Sequence, residues 1–284
     1  MKYQFMRFPE GKLKAVTLSY DDGVPSDARF SEVITSYGFK CTFNMNGDGM
    51  RGASALSKET VESIVFARGH ELALHGYYHA APGRVRAAIG IRDVLENRIE
   101  MERKYGRIIR GMAYPDAGTN ILENGMTYER IKDYLIDLDV AYARTTRSHG
   151  GFALPNDFHA WCPTAHHNDP KLFEYIEKFL SFEYTGWGKI SSAAPMLFYL
   201  WGHSYEFDRD SNWDRLDKIG EALGGKDDVY YATNIEIYDY VKAYNSLVYS
   251  LDGTMIYNPT LYTLWFVRDG SDPISIKSGE TLKF

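Results

Sequence analysis

Short apolar segments alternate with longer amphipathic segments along most of this chain. Residues 14–20 and 195–200 are short apolar runs of the kind that forms strands, whereas residues 86–105 repeat apolar side chains at helical spacing with charges between them. Strands that alternate with helices of this length are typical of βα units wound around a parallel sheet. The sequence therefore predicts an α/β fold.

The number of predicted strands narrows the architecture. We predict strands at 14–20, 39–45, 71–74, 111–114, 140–143, 195–200 and 229–232, and helices at 26–37, 57–68, 86–105, 126–138, 170–180, 213–223 and 235–249. About seven strands fit a closed or nearly closed barrel better than a small open sheet. In such barrels the chemistry lies at the carboxyl ends of the strands, so residues that directly follow a strand are the first candidates for a site.

The last part of the chain has a different pattern. Short β-rich segments at 254–257, 261–267, 274–276 and 281–284 are separated by turn-forming pairs at 258–259, 269–270 and 278–279. We predict a small antiparallel appendage at about residues 254–284. Because no internal repeat or flexible linker sets it apart, we predict a single domain over residues 1–284.

Composition argues against several classes of function. The 284 residues can bury a substantial core, and the formal net charge of −6 gives no support for a nucleic-acid or anionic-membrane partner. No stretch approaches the roughly 20 apolar residues of a membrane span. The chain contains only 2 cysteines, which does not indicate a disulfide framework. The first residues lack the apolar core of a signal peptide, so we predict a cytoplasmic protein.

Two short runs in the first third of the chain carry side chains that can bind a metal. Asp21 and Asp22 follow the predicted strand at 14–20, and His75 and His79 follow the predicted strand at 71–74. A carboxylate with two imidazoles is a common ligand set for a catalytic zinc, which keeps one position open for water. Each run alone is weak, since Asp-Gly is a common turn and exposed histidine pairs are frequent. Together they predict a metal-assisted hydrolase in which the second aspartate is free to act as a base.

Two later strands end in residues that could complete this site. His203 follows the apolar strand at 195–200, and a structural histidine at the barrel rim is the alternative interpretation. Tyr114, Pro115 and Asp116 lie where a predicted strand runs into a proline turn. The backbone N–H groups of that turn could face the same end of the sheet.

At these motifs the chain resembles the polysaccharide deacetylase family, the NodB-homology or carbohydrate esterase family 4 type. The family's Thr-Phe-Asp-Asp-Gly-like motif corresponds to residues 19–23, its His-x-x-x-His motif to His75 and His79, and the histidine after its leucine-rich strand to His203. The resemblance spans roughly residues 14–205. It implies a distorted (β/α) barrel of about seven strands, in agreement with the count above.

The resemblance also implies a role for each matched residue. Asp22, His75 and His79 would bind a divalent metal, most often Zn²⁺, with Co²⁺, Ni²⁺ or Mn²⁺ as alternatives. Asp21 would be the general base that takes a proton from the metal-bound water. His203 would be the general acid that protonates the leaving group.

A further set of residues is expected to contact the substrate. The backbone N–H of Asp116, in the third motif with Tyr114 and Pro115, would help to hold the oxyanion. Trp161 is expected to form a pocket wall, and Trp201, two residues before the acid histidine, is expected to lie beside the substrate.

The chain departs from the family pattern in its third and fourth motifs. Ala113 stands where the family has an arginine that orients the catalytic aspartate. Arg144, which we also place at the substrate site, is the candidate replacement by position, with a structural salt bridge as the alternative. Residues 157–161 are the candidate for the family's Asp-Trp run that supports the acid histidine. His166 and His167 stay unassigned, since a second metal site and structural histidines are both open interpretations and the second is more common.

We therefore predict a metal-dependent hydrolase that removes acetyl groups from an N- or O-acetylated sugar or polysaccharide. One alternative keeps the metal site and changes the substrate to another non-peptide C–N bond. The other alternative is a catalytically inactive carbohydrate-binding barrel. The presence of all three ligands, the base and the acid argues against inactivity.

Overall fold

The largest sheet of the protein is parallel and curled. The computed structural model describes residues 3–48, 56–183 and 194–284. The strands of this sheet are β2 (Lys14–Asp22), β3 (Cys41–Met45), β4 (Glu71–Leu74), β5 (Gly111–Ala113), β6 (Tyr142–Arg144), β7 (Ala165–His166), β8 (Met196–Gly202) and β9 (Val229–Tyr231). Their order is β6-β5-β4-β3-β2-β8-β7, with β9 paired to β2 beside this path. The predicted α/β barrel of about seven strands is confirmed.

Helices join the strands and pack against them through apolar side chains. They are α1 (Asp27–Ser36), α2 (Lys58–Val61, continued by a π turn at Glu62–Phe66), α3 (Ala87–Tyr105), α4 (Tyr128–Asp137), α5 (Leu172–Leu180), α6 (Tyr205–Arg209), α7 (Trp213–Leu223) and α8 (Asn234–Asn245). The last predicted helix was too long, because α8 ends at Asn245 and Val248–Tyr249 forms a strand, β10. Within the described part of the chain, no helix has the length and apolar character needed to cross a membrane.

Strand β2 is the strand of this sheet that pairs with three described neighbours. One of its edges pairs with β8 from Lys14 to Tyr20. The other edge is shared, since β9 pairs with it from Lys14 to Val16 and β3 pairs with it from Leu18 to Asp22. Strand β2 therefore has parallel neighbours along both of its edges.

The two faces of β2 differ in polarity. Leu18 and Tyr20 pack into the apolar core that the sheet forms with the helices. Because side chains alternate along a strand, Thr17, Ser19 and Asp21 project to the other face, where all three are buried. The inner face of β2 is therefore a line of polar groups that ends in the carboxylate of Asp21.

The C-terminal strands form two small antiparallel sheets, as the antiparallel prediction required. One sheet contains β10, β11 (Met255–Tyr257) and β14 (Thr281–Lys283). The other contains β12 (Leu264–Arg268), β13 (Ile274–Ile276) and a strand from the start of the chain, β1 (Gln4–Arg7). Strand β1 was not predicted, and its pairing shows that the tail is not an appendage built from the last residues alone.

The start of α8 depends on a capping box at Thr233. The Thr233 hydroxyl accepts the N–H of Glu236, and the Glu236 carboxylate accepts the N–H of Thr233 at 2.8 Å. We expect Thr233→Ala to lower the free energy of unfolding by about 1 kcal/mol in urea titrations, because the N–H of Glu236 loses its acceptor in the first turn of the helix. Thr233→Ser keeps the hydroxyl and is the matched control. An equal loss in both variants would contradict the capping role.

Candidate active site

Four strands of the curled sheet deliver polar residues to one rim. Asp21 and Asp22 end β2, His75 directly follows β4, Arg144 ends β6, and His203 directly follows β8. Because these strands run parallel, their carboxyl ends lie on the same side of the sheet. The structure therefore brings together the residues that the sequence predicted as base, metal ligands and acid.

Asp22, His75 and His79 form a group whose geometry fits a divalent metal. Oδ1 of Asp22 lies 3.5 Å from Nε2 of His75 and 3.6 Å from Nε2 of His79, and the three ligand atoms lie within 4.8 Å of one another. Tetrahedral zinc ligands at about 2.1 Å from the ion are about 3.4 Å apart. The spacing therefore suits one shared ion. The side chains of Asp22 and His79 are each 25% exposed, so a substrate can approach this group.

Hydrogen bonds from neighbouring elements fix the loop that carries His75 and His79. Nδ1 of His75 donates to the carbonyl oxygen of Ala113 at 3.0 Å, which leaves the lone pair of Nε2 free for a metal. The backbone N–H of His75 donates to Asn97 at 3.1 Å, and that of Tyr78 donates to the carboxylate of Asp93 at 2.6 Å. Both acceptors belong to α3, so this helix holds the loop in place.

Two of the three ligand residues have a left-handed backbone. The φ angle is 82° at Asp22 and 58° at His79, in a region that residues with a side chain seldom adopt. Gly76 has a φ of 80°, and a Cβ atom there would lie 2.3 Å from Oδ2 of Asp93. Such strain costs about 1–3 kcal/mol per residue and persists where the surroundings fix it, as at functional sites.

Asp21 is held by a buried ion pair. Its Oδ2 pairs with Nη2 of Arg144, and its Oδ1 accepts a hydrogen bond from Asn44 at 2.9 Å. Burial raises the pKa of the Asp21 carboxyl, but the charge of Arg144, with those of His75 and His203, outweighs burial and holds the pKa below its ordinary value. Arg144 therefore pairs with Asp21 in place of the arginine that the family has at the position of Ala113.

His203 faces both aspartates. Its Nε2 lies 3.9 Å from Oδ2 of Asp21 and 3.9 Å from Oδ2 of Asp22, while its Nδ1 lies 3.7 Å from Oε1 of Glu206. Burial lowers the pKa of the imidazole, but the hydrogen bonding and charge of Glu206, together with the two aspartates, raise it above the ordinary value. A ring with this environment is suited to donate a proton.

The expected support of His203 by residues 157–161 is wrong. The carboxylate of Asp157 binds Lys132 of α4 at 2.7 Å. Trp161 is 1% exposed and lies in a core cluster of aromatic rings, so it forms no pocket wall. Glu206, three residues after His203 on α6, makes the contact instead.

His166 and His167 contact Glu206, and the three residues form a second group whose ligand atoms lie within 4.8 Å of one another. The Nε2 atoms of the two histidines lie 3.0 and 3.2 Å from Oε2 of Glu206. Nδ1 of His166 accepts the N–H of Asn168 at 3.1 Å, so the neutral ring carries its proton on Nε2 and has no lone pair there for a metal. His167 is fully buried, with its ring stacked on Phe207 at 4.3 Å. This geometry favours structural histidines.

The other residues that were expected at the substrate differ in how far they are buried. Tyr114 is 1% exposed and donates its hydroxyl to a backbone carbonyl at 2.8 Å, and Pro115 is buried as well. These two side chains have no surface to offer a substrate. Asp116 is exposed, with a left-handed φ of 49°. Trp201 is 9% exposed, with its ring centroid 4.6 Å from the guanidinium carbon of Arg144.

Sequence reasoning missed four residues that support the site. Asn44 is a polar residue inside a wholly buried strand, Asp93 and Asn97 are buried polar residues on α3, and Glu206 follows His203 at helical spacing. Each of these patterns is visible in the sequence. None is specific, because polar residues in strands and charged residues at helical spacing are common on surfaces.

The buried pair of Asp21 and Arg144 makes a prediction about stability. Arg144→Met leaves a buried carboxylate without its counterion, so we expect the free energy of unfolding to fall by about 3–5 kcal/mol in urea titrations at neutral pH. Asp21→Asn removes the charge, and the double variant should recover part of the loss, which a double-mutant cycle measures. Fully additive losses would contradict a direct pairing.

Comparison with known proteins supports the family resemblance. Residues 9–123 match the family model described as polysaccharide deacetylase. This segment contains both aspartates of the first motif and both histidines of the second. The resemblance drawn from the motifs is therefore confirmed. No curated protein matches the chain.

Solved structures share the fold. A protein named as a polysaccharide deacetylase from Mycobacterium smegmatis aligns with a TM-score of 0.58 at 16% identity, covering 84% of this chain and 94% of that one. The chitin deacetylase of the fungal pathogen Colletotrichum lindemuthianum aligns with a TM-score of 0.51 at 16% identity, covering 82% and 89%. The deacetylase PplD of Streptococcus pyogenes aligns over only 46% of this chain and 55% of its own, with a TM-score of 0.39 at 14% identity. At 16% identity, the first two alignments show the fold alone.

Proposed function

We propose that this chain is a metal-dependent hydrolase of the polysaccharide deacetylase family that removes acetyl groups from an N- or O-acetylated carbohydrate. The observation that carries the proposal is the environment of Asp21. Its buried carboxylate lies beside three atoms spaced for one metal ion, and Nε2 of His203 lies 3.9 Å away. This arrangement suits an amide or an ester, because hydrolysis of either passes through a tetrahedral oxyanion.

Asp22, His75 and His79 would hold the ion. We propose Zn²⁺, with Co²⁺, Ni²⁺ and Mn²⁺ as alternatives that the same ligands accept. When bound, the ion would polarise the acetyl carbonyl and acidify a water molecule, which suits a base whose pKa is held low. The N–H of Asp116, in the turn after β5, is the proposed backbone donor to the oxyanion.

Asp21 is the proposed general base. Its contacts with Arg144 and Asn44 fix the plane of the carboxylate, and the arginine keeps it ionised and ready to accept a proton. Because both partners are buried, the base does not reorient between turnovers. The ion pair with Arg144 lowers the basicity of Asp21, and the fixed orientation of the carboxylate compensates for that loss.

His203 is the proposed general acid. An amine is a poor leaving group until it is protonated, so amide hydrolysis needs a proton donor on the leaving side. Glu206 lies at Nδ1 of the ring, which directs Nε2 toward the reacting atoms. The surrounding carboxylates favour the protonated ring, as the raised pKa of His203 shows.

The proposed function predicts acetate release that depends on a metal. We expect the purified protein with Zn²⁺ to release acetate from acetylated glucosamine oligomers or acetylated xylan, and a chelator should abolish this activity until Zn²⁺ is restored. Asp21→Asn should lower kcat by at least about 100-fold, because the base is lost, while elemental analysis still finds bound metal. His75→Ala is the matched variant that should lose the metal.

Several results would contradict the proposal. Absence of metal uptake with excess Zn²⁺ would remove both enzymatic interpretations. Hydrolysis of other non-peptide C–N bonds alone would support the alternative substrate class. Full activity of Asp21→Asn would show that another group is the base.

A second prediction concerns the acid. Glu206→Gln keeps the shape of the side chain and removes its charge, so we expect kcat/KM for an N-acetylated sugar to fall about 10-fold. Because Glu206 raises the pKa of His203, the alkaline limb of the rate profile should move to lower pH. Hydrolysis of 4-nitrophenyl acetate should change little, since its leaving group departs without a proton. An equal loss on both substrates would contradict the role.

A further inference from the structure

Tyr205 is an exposed aromatic residue directly beside the proposed acid. It begins α6, two residues after His203. The centroids of the two rings are 5.1 Å apart, and their planes are inclined by 39°.

The exposure of Tyr205 differs from that of its aromatic neighbours. The described rings closest to His203 are those of Tyr205, Trp201 at 6.0 Å and His166 at 6.4 Å. Trp201 is 9% exposed, whereas Tyr205 is 36% exposed. The largest open aromatic surface next to the acid therefore belongs to Tyr205.

The backbone on both sides of Tyr205 is fixed. Ser204 is fully buried, and its hydroxyl donates to the buried carboxylate of Asp27 at 2.5 Å. Glu206 is 8% exposed and is held by His166. Since both neighbours are anchored, the ring projects from a rigid turn and would lose little freedom when a ligand covers it.

We propose that Tyr205 is the surface on which the sugar ring of the leaving group lies while His203 protonates it, a role that rests on the proposed function. The leaving atom must come within about 3 Å of Nε2 of His203, so the sugar that carries it must lie against the next surface along the rim. An aromatic face fits the C–H face of a pyranose, and the phenol can bond to a sugar hydroxyl. Tyr205 would thus make the site selective for acetylated carbohydrates over small acetyl esters.

The test compares Tyr205→Ala and Tyr205→Phe on two substrates. For an acetylated glucosamine oligomer, we expect Tyr205→Ala to lower kcat/KM about 10-fold, mainly through KM, and Tyr205→Phe to stay within about 3-fold of the wild type. For vinyl acetate, whose leaving group has no ring, both variants should match the wild type. Tyr257→Ala removes a tyrosine of similar exposure, 41%, on β11 and should change neither substrate.

The outcomes separate this proposal from the proposed function. If Tyr205→Ala leaves KM for the oligomer unchanged, or lowers kcat/KM equally for vinyl acetate, the proposed contact between Tyr205 and the sugar is overturned. A wild-type protein that is inactive on every acetylated carbohydrate overturns the proposed function instead. In that case, calorimetric titration with deacetylated glucosamine oligomer tests the role of Tyr205. Equal affinity of the wild type and Tyr205→Ala for the oligomer would overturn that role.

Discussion

The contact between Asp21 and Arg144 depends on the curvature of the sheet, and the orientation of the Asp21 carboxylate depends on that contact. The two residues end β2 and β6, which are separated by three strands in the sheet order. In a flat sheet, four steps of about 4.8 Å would place these strands about 19 Å apart, beyond the reach of an arginine side chain. Their ion pair therefore requires the sheet to curl until opposite strands face each other. A base oriented in this way is a property of the whole barrel rather than of a local motif.

The metal-binding group has a different kind of support. Asp22 and His79 owe their positions to left-handed backbone angles, and His75 owes its ring orientation to a carbonyl of the neighbouring strand. Helix α3 then holds the loop through buried acceptors, including Asp93. Rigid side chains therefore define the base, whereas a constrained backbone defines the ligands. Substitutions that remove the side-chain partners of Asp21 should therefore disturb the proposed base, whereas substitutions that alter the loop backbone should disturb the proposed metal ligands.

The sequence predicted much of this arrangement because its strongest signals are local. Long periodic segments such as α3 were predicted closely, whereas β1, β7 and α6 have two to five residues, too few to show a period. The proposed ligands, base and acid could be predicted because each lies at, or shortly after, the carboxyl end of a strand. Glu206 and Asn44 were missed because their importance depends on which strands become neighbours. The burial of Tyr114 and Trp161 could not be foreseen either, since a motif does not show which way a side chain points.

The pairing of β1 with β12 joins residues near the two ends of the described chain, Gln4 and Arg268. Translation produces the first of these strands long before the second. While the ribosome is still adding the barrel, β1 has unsatisfied N–H and C=O groups along its edge, which can engage a wrong partner. The short length of β1 reduces that hazard, because its 4 residues offer few backbone groups for mispairing. Among the described strands, β1 is thus the one that waits longest for its native neighbour.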